Sequence, residues 1–270
     1  MRLSFMTFAC PTWPLADVLE AARAYGYDGL EPRLDVAHAH GIEIALDQGG
    51  RRAVRAAAAD SGIELCCLAT SLGFAVTEPP KRAELLAAAT ERLRLAADLG
   101  APGIRVFAGG VSAGTPLEEA LSACAENLRA AGDVAADLGV ELWLETHDTV
   151  SRGELAGQVV NAADHRAVHI NYDILHPVRL GESLDDTFAA LAGHIRHSHW
   201  HDARLRPDQL DITPIGEGEL PLAEIVARLA AVGFEGYLSG EWFVEQMSAE
   251  PHESLSDYAR AMRALMAAAG

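Results

Sequence analysis

The feature that most constrains the fold is a repeated alternation of short apolar runs with longer helical patterns. The eight β-leaning runs are Leu3–Phe8, Gly29–Glu31, Ile63–Ala69, Ile104–Ala108, Val140–Glu145, Val168–Tyr172, Ile195–Trp200 and Tyr237–Trp242. Helices are predicted over Leu15–Tyr25, Arg51–Ser61, Arg82–Leu99, Leu117–Leu138, Leu222–Val232 and Leu255–Ala268. Strands that alternate with helices pair in parallel through crossover helices, which predicts an α/β fold.

Glycines mark the ends of five predicted helices, each just before a strand, at Gly26, Gly62, Gly100, Gly139 and Gly233. Glycine suits the left-handed position that ends many helices. Eight strand–helix units in 270 residues predict a single (β/α)8 TIM barrel domain over residues 1–270, with a loop insertion around residues 34–50. An open doubly wound sheet is the alternative, but no glycine fingerprint follows the first strand.

The composition narrows the range of partners. The chain has 39 acidic and 21 basic residues and a formal net charge of −18, which argues against binding to nucleic acid or an anionic membrane. The one lysine, Lys81, follows two prolines at a helix start and is a poor candidate for a Schiff base. The 4 cysteines form no CxxC pair, which favours reduced thiols in a cytoplasmic protein. No apolar run reaches the roughly 20 residues that a membrane span needs.

Polar residues stand at the ends of four consecutive strands. The fifth strand ends at Glu145, Asp173 follows the sixth, His199 lies near the end of the seventh, and Glu241 lies near the end of the eighth. Barrel active sites lie at these carboxyl ends. Three converging carboxylates repel one another unless a cation compensates them, so we expect one divalent metal ion. The donor set favours Mn²⁺ or Mg²⁺, with Co²⁺ and Zn²⁺ as alternatives.

Two groups of histidines need separate interpretations. His197, His199 and His201 alternate on one predicted strand, so they point to the same side but lie in different layers. We take His199 as the ligand, His197 as a hydrogen-bonded core residue one layer deeper, and His201 as a rim residue. His38 and His40 form an HxH pair inside the predicted insertion, where a structural or solvent-facing role is the better interpretation.

Several segments resemble those of the xylose isomerase-like barrel superfamily, in particular its ketose 3-epimerases, hydroxypyruvate isomerases and inosose-processing enzymes. They are Leu142–His147, Asp173–His176, His199–Asp202, Gly216–Glu219 and Gly236–Glu241. The family commonly has His-x-Lys-Asp in the third segment, whereas this chain has His201 in place of the lysine.

The resemblance implies specific roles. The implied metal ligands are Glu145, Asp173, His199 and Glu241. Glu145 and Glu241 would also form the catalytic acid/base pair. The implied substrate contacts are His147, His176 and Arg204, with Arg206 competing for the place of Arg204.

The implied reaction is isomerisation or epimerisation of a small sugar, ketose or related hydroxy-ketone through a metal-stabilised enediolate. An inosose-type dehydratase would use the same enolate, and the HxH patterns leave a metal-dependent hydrolase as a further alternative. An endonuclease IV-type enzyme conflicts with the net charge of −18. A non-catalytic barrel is least favoured, because the acid/base pair is retained. The resemblance also leaves open a homo-oligomer, either a dimer or a tetramer.

Overall fold

The computed structural model shows a ring of parallel strands surrounded by helices. It describes residues 1–206, 209–247 and 249–268. The strands are β1 Arg2–Met6, β2 Gly29–Glu31, β3 Glu64–Leu65, β4 Leu68–Gly73, β5 Gly103–Phe107, β6 Glu141–Glu145, β7 Val168–Asp173, β8 Ile195–Trp200, β9 Asp202–Arg206, β10 Gln209–Thr213 and β11 Tyr237–Gly240. The α-helices are α1 Leu15–Tyr25, α2 Gln48–Ser61, α3 Pro79–Leu99, α4 Leu117–Leu138, α5 Gly153–Ala163, α6 Leu175–Arg179, α7 Leu184–Leu191, α8 Leu222–Ala231 and α9 Pro251–Ala268.

The main sheet has the order β3-β2-β1-β11-β8-β7-β6-β5-β4, and its strand pairs are parallel. β3 and β4 are two parts of one barrel strand that is interrupted at Cys66 and Cys67. The ring closes where Arg33, just after β2, bridges to Ala69 of β4. The Leu34 amide donates to the Ala69 carbonyl at 2.8 Å across this seam. The predicted (β/α)8 barrel is therefore confirmed.

The glycine signals for helix ends are also confirmed. α1, α2, α3 and α4 each end at a left-handed glycine, with φ values of 75°, 75°, 81° and 70° at Gly26, Gly62, Gly100 and Gly139. Each of these glycine amides donates to carbonyls in the last turn of its helix. Because the next strand starts within a few residues, this cap turns the chain back towards the barrel.

The structure adds three helices and one hairpin that these signals did not predict. α5 ends at Asp164, which takes the left-handed conformation with φ 45° in place of a glycine. α7 begins after Ser183, whose hydroxyl accepts from the Asp186 amide at 3.1 Å. β9 and β10 form an antiparallel hairpin after β8. α6 and α7 are too short to show a clear helical periodicity, and α5 lacks the glycine that would have marked its end.

The segment after β2 has no helix or strand between residues 34 and 47, and α2 begins at Gln48. The Glu43 carboxylate accepts hydrogen bonds from the amides of Asp35 and Ala37, both at 3.1 Å. Asp47 caps α2 by accepting from the Gly50 amide at 2.7 Å. Side-chain carboxylates therefore order this connection where regular secondary structure does not.

The barrel interior contains a distinct cluster of buried residues, Cys66, Cys67, Trp143 and Tyr237, which we call the lower layer. Trp143 lies two residues before Glu145 on β6 and points to the same side of the strand, one layer deeper. All four cysteines of the chain are buried and unpaired. Among the helices of the described residues, none combines the length and the apolar character that crossing a membrane requires.

Candidate metal centre

The four predicted metal ligands meet at the carboxyl end of the barrel. Glu145 ends β6, Asp173 ends β7, His199 lies on β8, and Glu241 directly follows β11. One ligand atom from each of the four lies within 4.8 Å of the others. Asp173 and His199 are register partners on adjacent parallel strands, which explains why residues far apart in sequence share one rim.

His199 lies at the centre of this group and is fully buried. Its Nδ1 atom lies 2.9 Å from Glu241 Oε2 and 3.4 Å from Glu145 Oε1. Burial by itself would lower the pKa of His199, but the carboxylates of Glu241, Glu31 and Glu145 outweigh burial and raise that pKa well above its ordinary value. The pocket therefore has a strong preference for positive charge at this point.

The pKa values of two of the carboxylates are also set by burial and by opposing neighbouring charges. Burial would raise the pKa of Glu241, but His199 and Arg105 lower it to about 2. Burial likewise disfavours the ionised form of Asp173, yet His201 and His176 lower its pKa below its ordinary value. Both groups are thus carboxylates at neutral pH, as metal ligands must be.

This donor set fits one divalent metal ion. Three carboxylate oxygens and one imidazole nitrogen converge in a buried space, and the side chains of Glu145 and Asp173 are each only 1% exposed. Such a mixture suits Mn²⁺, Mg²⁺ or Zn²⁺, because none of the donors is a thiolate. The repulsion among three buried carboxylates would be offset by the ion's charge.

Sequence reasoning missed Glu31, a fully buried carboxylate at the end of β2. Glu31 Oε1 lies 3.0 Å from His199 Nε2, and Glu31 Oε2 lies 2.7 Å from His197 Nε2. Ser239 donates its hydroxyl to Glu31 Oε2 at 2.7 Å. His197 is the hydrogen-bonded core histidine that was predicted, one layer below His199. A carboxylate within an otherwise apolar strand was the available signal for Glu31.

Arg105 was missed as well, although it stands inside the apolar run of β5. It is 1% exposed, and its Nε lies 3.0 Å from Glu145 Oε2. Its Nη1 donates to the Thr70 carbonyl at 2.8 Å, and its guanidinium lies 4.1 Å from the centre of the Phe107 ring. Arg105 therefore pairs its charge with Glu145 and contacts one oxygen of that carboxylate.

The predicted substrate contacts fall into two groups. His147 and His176 lie beside the ligands, with their ring centres 4.4 Å apart and His176 Nε2 3.8 Å from Asp173 Oδ2. Burial would lower the pKa of His147, but its contact with Asp148 and the charge of Glu145 raise it to about 9. Arg204 instead lies exposed on β9, with its Nη1 3.6 Å from Asp211 Oδ2 on β10.

Three further histidines that the sequence singled out have assigned contacts. His201 directly follows β8 at the rim, as predicted, and is buried there, with its Nδ1 3.0 Å from the Glu241 carbonyl and its Nε2 3.3 Å from Asp173 Oδ1. The chain beyond His201 folds back into the β9–β10 hairpin. His38 Nδ1 lies 3.1 Å from the Thr7 hydroxyl, and His40 Nδ1 accepts from the Ile42 amide at 3.0 Å. Both histidines support the loop after β2.

Comparison with known proteins identifies a matching family model and several solved structures with a similar fold. A family model for the xylose isomerase-like TIM barrel matches residues 19–266. The IolI protein, crystallised with a bound zinc atom, superposes with a TM-score of 0.89 at 18% identity, covering 100% of this chain and 99% of IolI. D-psicose 3-epimerase, crystallised in the presence of D-fructose, gives 0.83 at 17% identity, covering 100% of both chains. The probable 3-DHS dehydratase AsbF of Bacillus anthracis gives 0.80 at 20% identity, covering 97% of this chain and 99% of AsbF. These structural similarities establish a shared fold.

Proposed function

Because the chain belongs to the xylose isomerase-like TIM barrel family, we propose that it is a divalent-metal-dependent isomerase or epimerase of a small sugar, ketose or related hydroxy-ketone. The observation that carries this proposal is the convergence of Glu145, Asp173, His199 and Glu241 on one buried point. Structural neighbours of this chain include enzymes that act on ketoses, such as D-psicose 3-epimerase and L-ribulose 3-epimerase.

In this proposal the four residues hold one Mn²⁺ or Mg²⁺ ion. When bound, the ion would polarise the substrate carbonyl and stabilise the negative charge that develops on the substrate oxygens. The protein's own contribution is to hold the ligands in place. Arg105 does this for Glu145 through the 3.0 Å contact between Nε and Oε2.

Glu145 and Glu241 are suited to exchange a proton with the substrate. Glu145 ends β6 and Glu241 directly follows β11. These two strands are separated in the sheet by β7 and β8, so the two residues approach the pocket from different sides. One carboxylate would remove the proton next to the carbonyl and leave an enediolate, and the other would return a proton. Return to the opposite face gives an epimer, whereas return to the adjacent carbon gives the aldose–ketose isomer.

His147 and His176 would bind the substrate hydroxyls. His176 is buried beside Asp173, while the His147 side chain is 34% exposed and can therefore meet a substrate that enters from solvent. Imidazole nitrogens donate to or accept from hydroxyl groups, which suits a polyol. Arg204 stays a candidate contact at the outer hairpin.

A dehydratase is the second candidate, and the position of His147 favours it. A dehydratase uses the same proton removal but then expels a β-hydroxyl, which needs a proton donor near the pocket mouth. The half-buried His147 ring, 4.4 Å from that of His176, is placed to supply one. The structural similarity to the probable 3-DHS dehydratase AsbF shows that the fold accommodates such a protein.

The deciding experiment incubates the Mn²⁺-loaded protein with a panel of ketoses and hydroxy-ketones in deuterated water. We expect product that carries solvent deuterium at the reacting carbon. Glu145→Gln and Glu241→Gln should each lower turnover by roughly 10²- to 10⁴-fold, the range of general acid–base catalysis. Bound metal is measured in every sample, because a carboxylate can be lost as ligand or as base.

Glu224→Gln is the matched control, since Glu224 lies exposed on α8 and pairs with Arg228. Full activity of both glutamine variants at equal metal occupancy would contradict the proposed proton transfer. Loss of water from the substrate would select the dehydratase. Hydrolysis of an ester, amide or phosphodiester without sugar turnover would select the hydrolase instead.

A further inference from the structure

Glu31 occupies an unusual position for a carboxylate. It is fully buried at the end of β2 and reaches across the barrel interior to β8, although β1 and β11 lie between these strands in the sheet. Among the described residues, its ion-pair partners are only His197 and His199, and no arginine or lysine pairs with it. Burying a carboxylate is unfavourable unless several donors form hydrogen bonds with it. The contacts of Glu31 with the two histidines therefore indicate a specific role.

We propose that Glu31 is a positioning residue that fixes the orientation and the tautomer of His199. This inference rests on the proposed function, because it assumes that His199 binds a metal ion. An ionised carboxylate can only accept hydrogen bonds, so the Nε2 atom of His199, 3.0 Å from Glu31 Oε1, must carry the hydrogen. In the neutral ring the lone pair then lies on Nδ1.

Nδ1 is the ring atom that faces the predicted ligands. It lies 2.9 Å from Glu241 Oε2 and 3.4 Å from Glu145 Oε1, whereas Nε2 points away towards Glu31. The contact with Glu31 therefore presents the lone pair to the site where the ion would sit. A carboxylate that accepts from the second nitrogen of a metal-binding histidine also increases the basicity of the ligand.

Two further contacts keep the Glu31 carboxylate from rotating. His197 Nε2 and the Ser239 hydroxyl both lie 2.7 Å from its Oε2 atom, so Oε1 is left for His199. His197 is in turn fixed by its ring stacking on Trp143, with centres 5.4 Å apart and planes inclined by 16°. The Asn171 amide nitrogen also lies 3.0 Å from Nδ1 and 3.2 Å from Nε2 of His199. The Glu31 contact thus links the orientation of His199 to the lower layer of the barrel.

A second metal ion among Glu31, His197 and His199 is the competing explanation, since these residues also form a potential ligand group. Its hydrogen bonds oppose it. Both oxygens of Glu31 already lie at hydrogen-bond distance from protein donors, Oε1 at 3.0 Å from His199 and Oε2 at 2.7 Å from both His197 and Ser239. The group also offers three ligating residues, whereas the predicted centre offers four.

The wild-type protein provides the first test. Zn²⁺ is added to protein with isotope-labelled histidine nitrogens, and NMR shifts identify which nitrogen of His199 binds the ion. We expect Nδ1 to bind zinc and Nε2 to keep a slowly exchanging proton. Coordination through Nε2 would overturn the proposal without any variant being needed.

The second test compares Glu31→Gln with Ser239→Ala by calorimetric Zn²⁺ titration and by the same NMR signal. Glu31→Gln should weaken binding by about 10- to 100-fold and shift or broaden the Nε2 proton signal. Ser239→Ala removes a neighbouring hydrogen bond but leaves the Oε1 contact, so we expect less than about a threefold change. The unfolding midpoints of both variants show whether either effect comes from a loss of folding.

The outcomes distinguish a failure of the positioning role of Glu31 from a failure of the proposed metal-dependent function. Equal zinc affinity and an unchanged Nε2 signal in Glu31→Gln would reject the positioning role and leave the metal centre intact. Two zinc equivalents in the wild type and one in Glu31→Gln would show a second metal site and also reject it. A wild type that binds no ion would reject both the positioning role and the proposed metal-dependent function.

Discussion

His197 and His199 lie two residues apart on β8, point to the same side, and have different surroundings. His199 faces three carboxylates at the carboxyl end of the barrel. His197 stacks on Trp143 in the lower layer and donates to Glu31. One step of roughly 6–7 Å along a strand therefore separates a charged rim from a packed interior. Position along the strand, rather than residue type, decides what each histidine can do.

Substitutions in the rim and in the lower layer should also differ in their effect on the stability of the fold. The rim gathers three carboxylates that the proposed function places around a cation, so we expect its residues to contribute little to the stability of the metal-free protein. The residues of the lower layer are buried against one another, so we expect them to stabilise the fold. Glu31 connects the two layers, because it contacts one histidine in each.

The largest effect on stability is expected from the lower layer. Trp143 is 4% exposed, and its replacement by alanine leaves a cavity that should lower the free energy of unfolding by about 3–5 kcal/mol. Urea denaturation of Trp143→Ala and Trp143→Phe measures this loss, with the phenylalanine variant expected to lose less. A loss below about 1 kcal/mol would show that this layer is not a packed core.

The matching change in the rim is His199→Ala. We expect Mn²⁺ affinity to fall at least 100-fold, or about 2.7 kcal/mol, while the metal-free protein stays folded. Calorimetric titration measures the affinity and circular dichroism checks the fold. His252→Ala is the control, because His252 lies against Trp13 and Tyr25, away from the ligand group. Stoichiometric binding with wild-type affinity in His199→Ala would contradict the ligand assignment.

Removal of the metal should lower the free energy of unfolding by no more than the loss expected for Trp143→Ala. At a free metal concentration of about 100 times Kd, bound Mn²⁺ should stabilise the protein by about 2.7 kcal/mol, and a chelator should abolish that gain. The thermal midpoint with and without chelator measures it. The midpoint of Glu145→Gln should respond less to Mn²⁺. An identical response in both proteins would separate Glu145 from the metal centre.

The smallest effect is expected at the outer hairpin. The Arg204 side chain is 46% exposed and pairs with Asp211, so its loss should raise KM by roughly threefold and leave kcat unchanged. Arg206→Ala tests the competing candidate, since Arg206 is 50% exposed on the same strand. A large fall in kcat for Arg204→Ala would move this residue into the reaction centre. No change in KM for either variant would exclude both as substrate contacts.

Much of the fold could be predicted because its signals are local. The glycine that ends α1 and the apolar run that forms β8 each depend on a few neighbouring residues. The helices after β6 and β7 were missed because they are short or end at Asp164 rather than at a glycine. The β9–β10 hairpin was missed although Leu205, Leu210 and Ile212 alternate with polar residues, because an extra hairpin after β8 lies outside the strand–helix alternation on which the prediction was based.

Local sequence patterns were enough to predict the alternation of strands and helices, the barrel architecture, and the rim residues at four consecutive strand ends. Only the tertiary structure showed that Glu31 and Arg105 belong to the same centre. Glu31 contacts His199 across 168 positions of the chain, and Arg105 contacts Glu145 from a neighbouring strand. The physical reason is that burial and charge pairing depend on which strands face each other across the closed barrel, and closure brings together residues that share no local pattern.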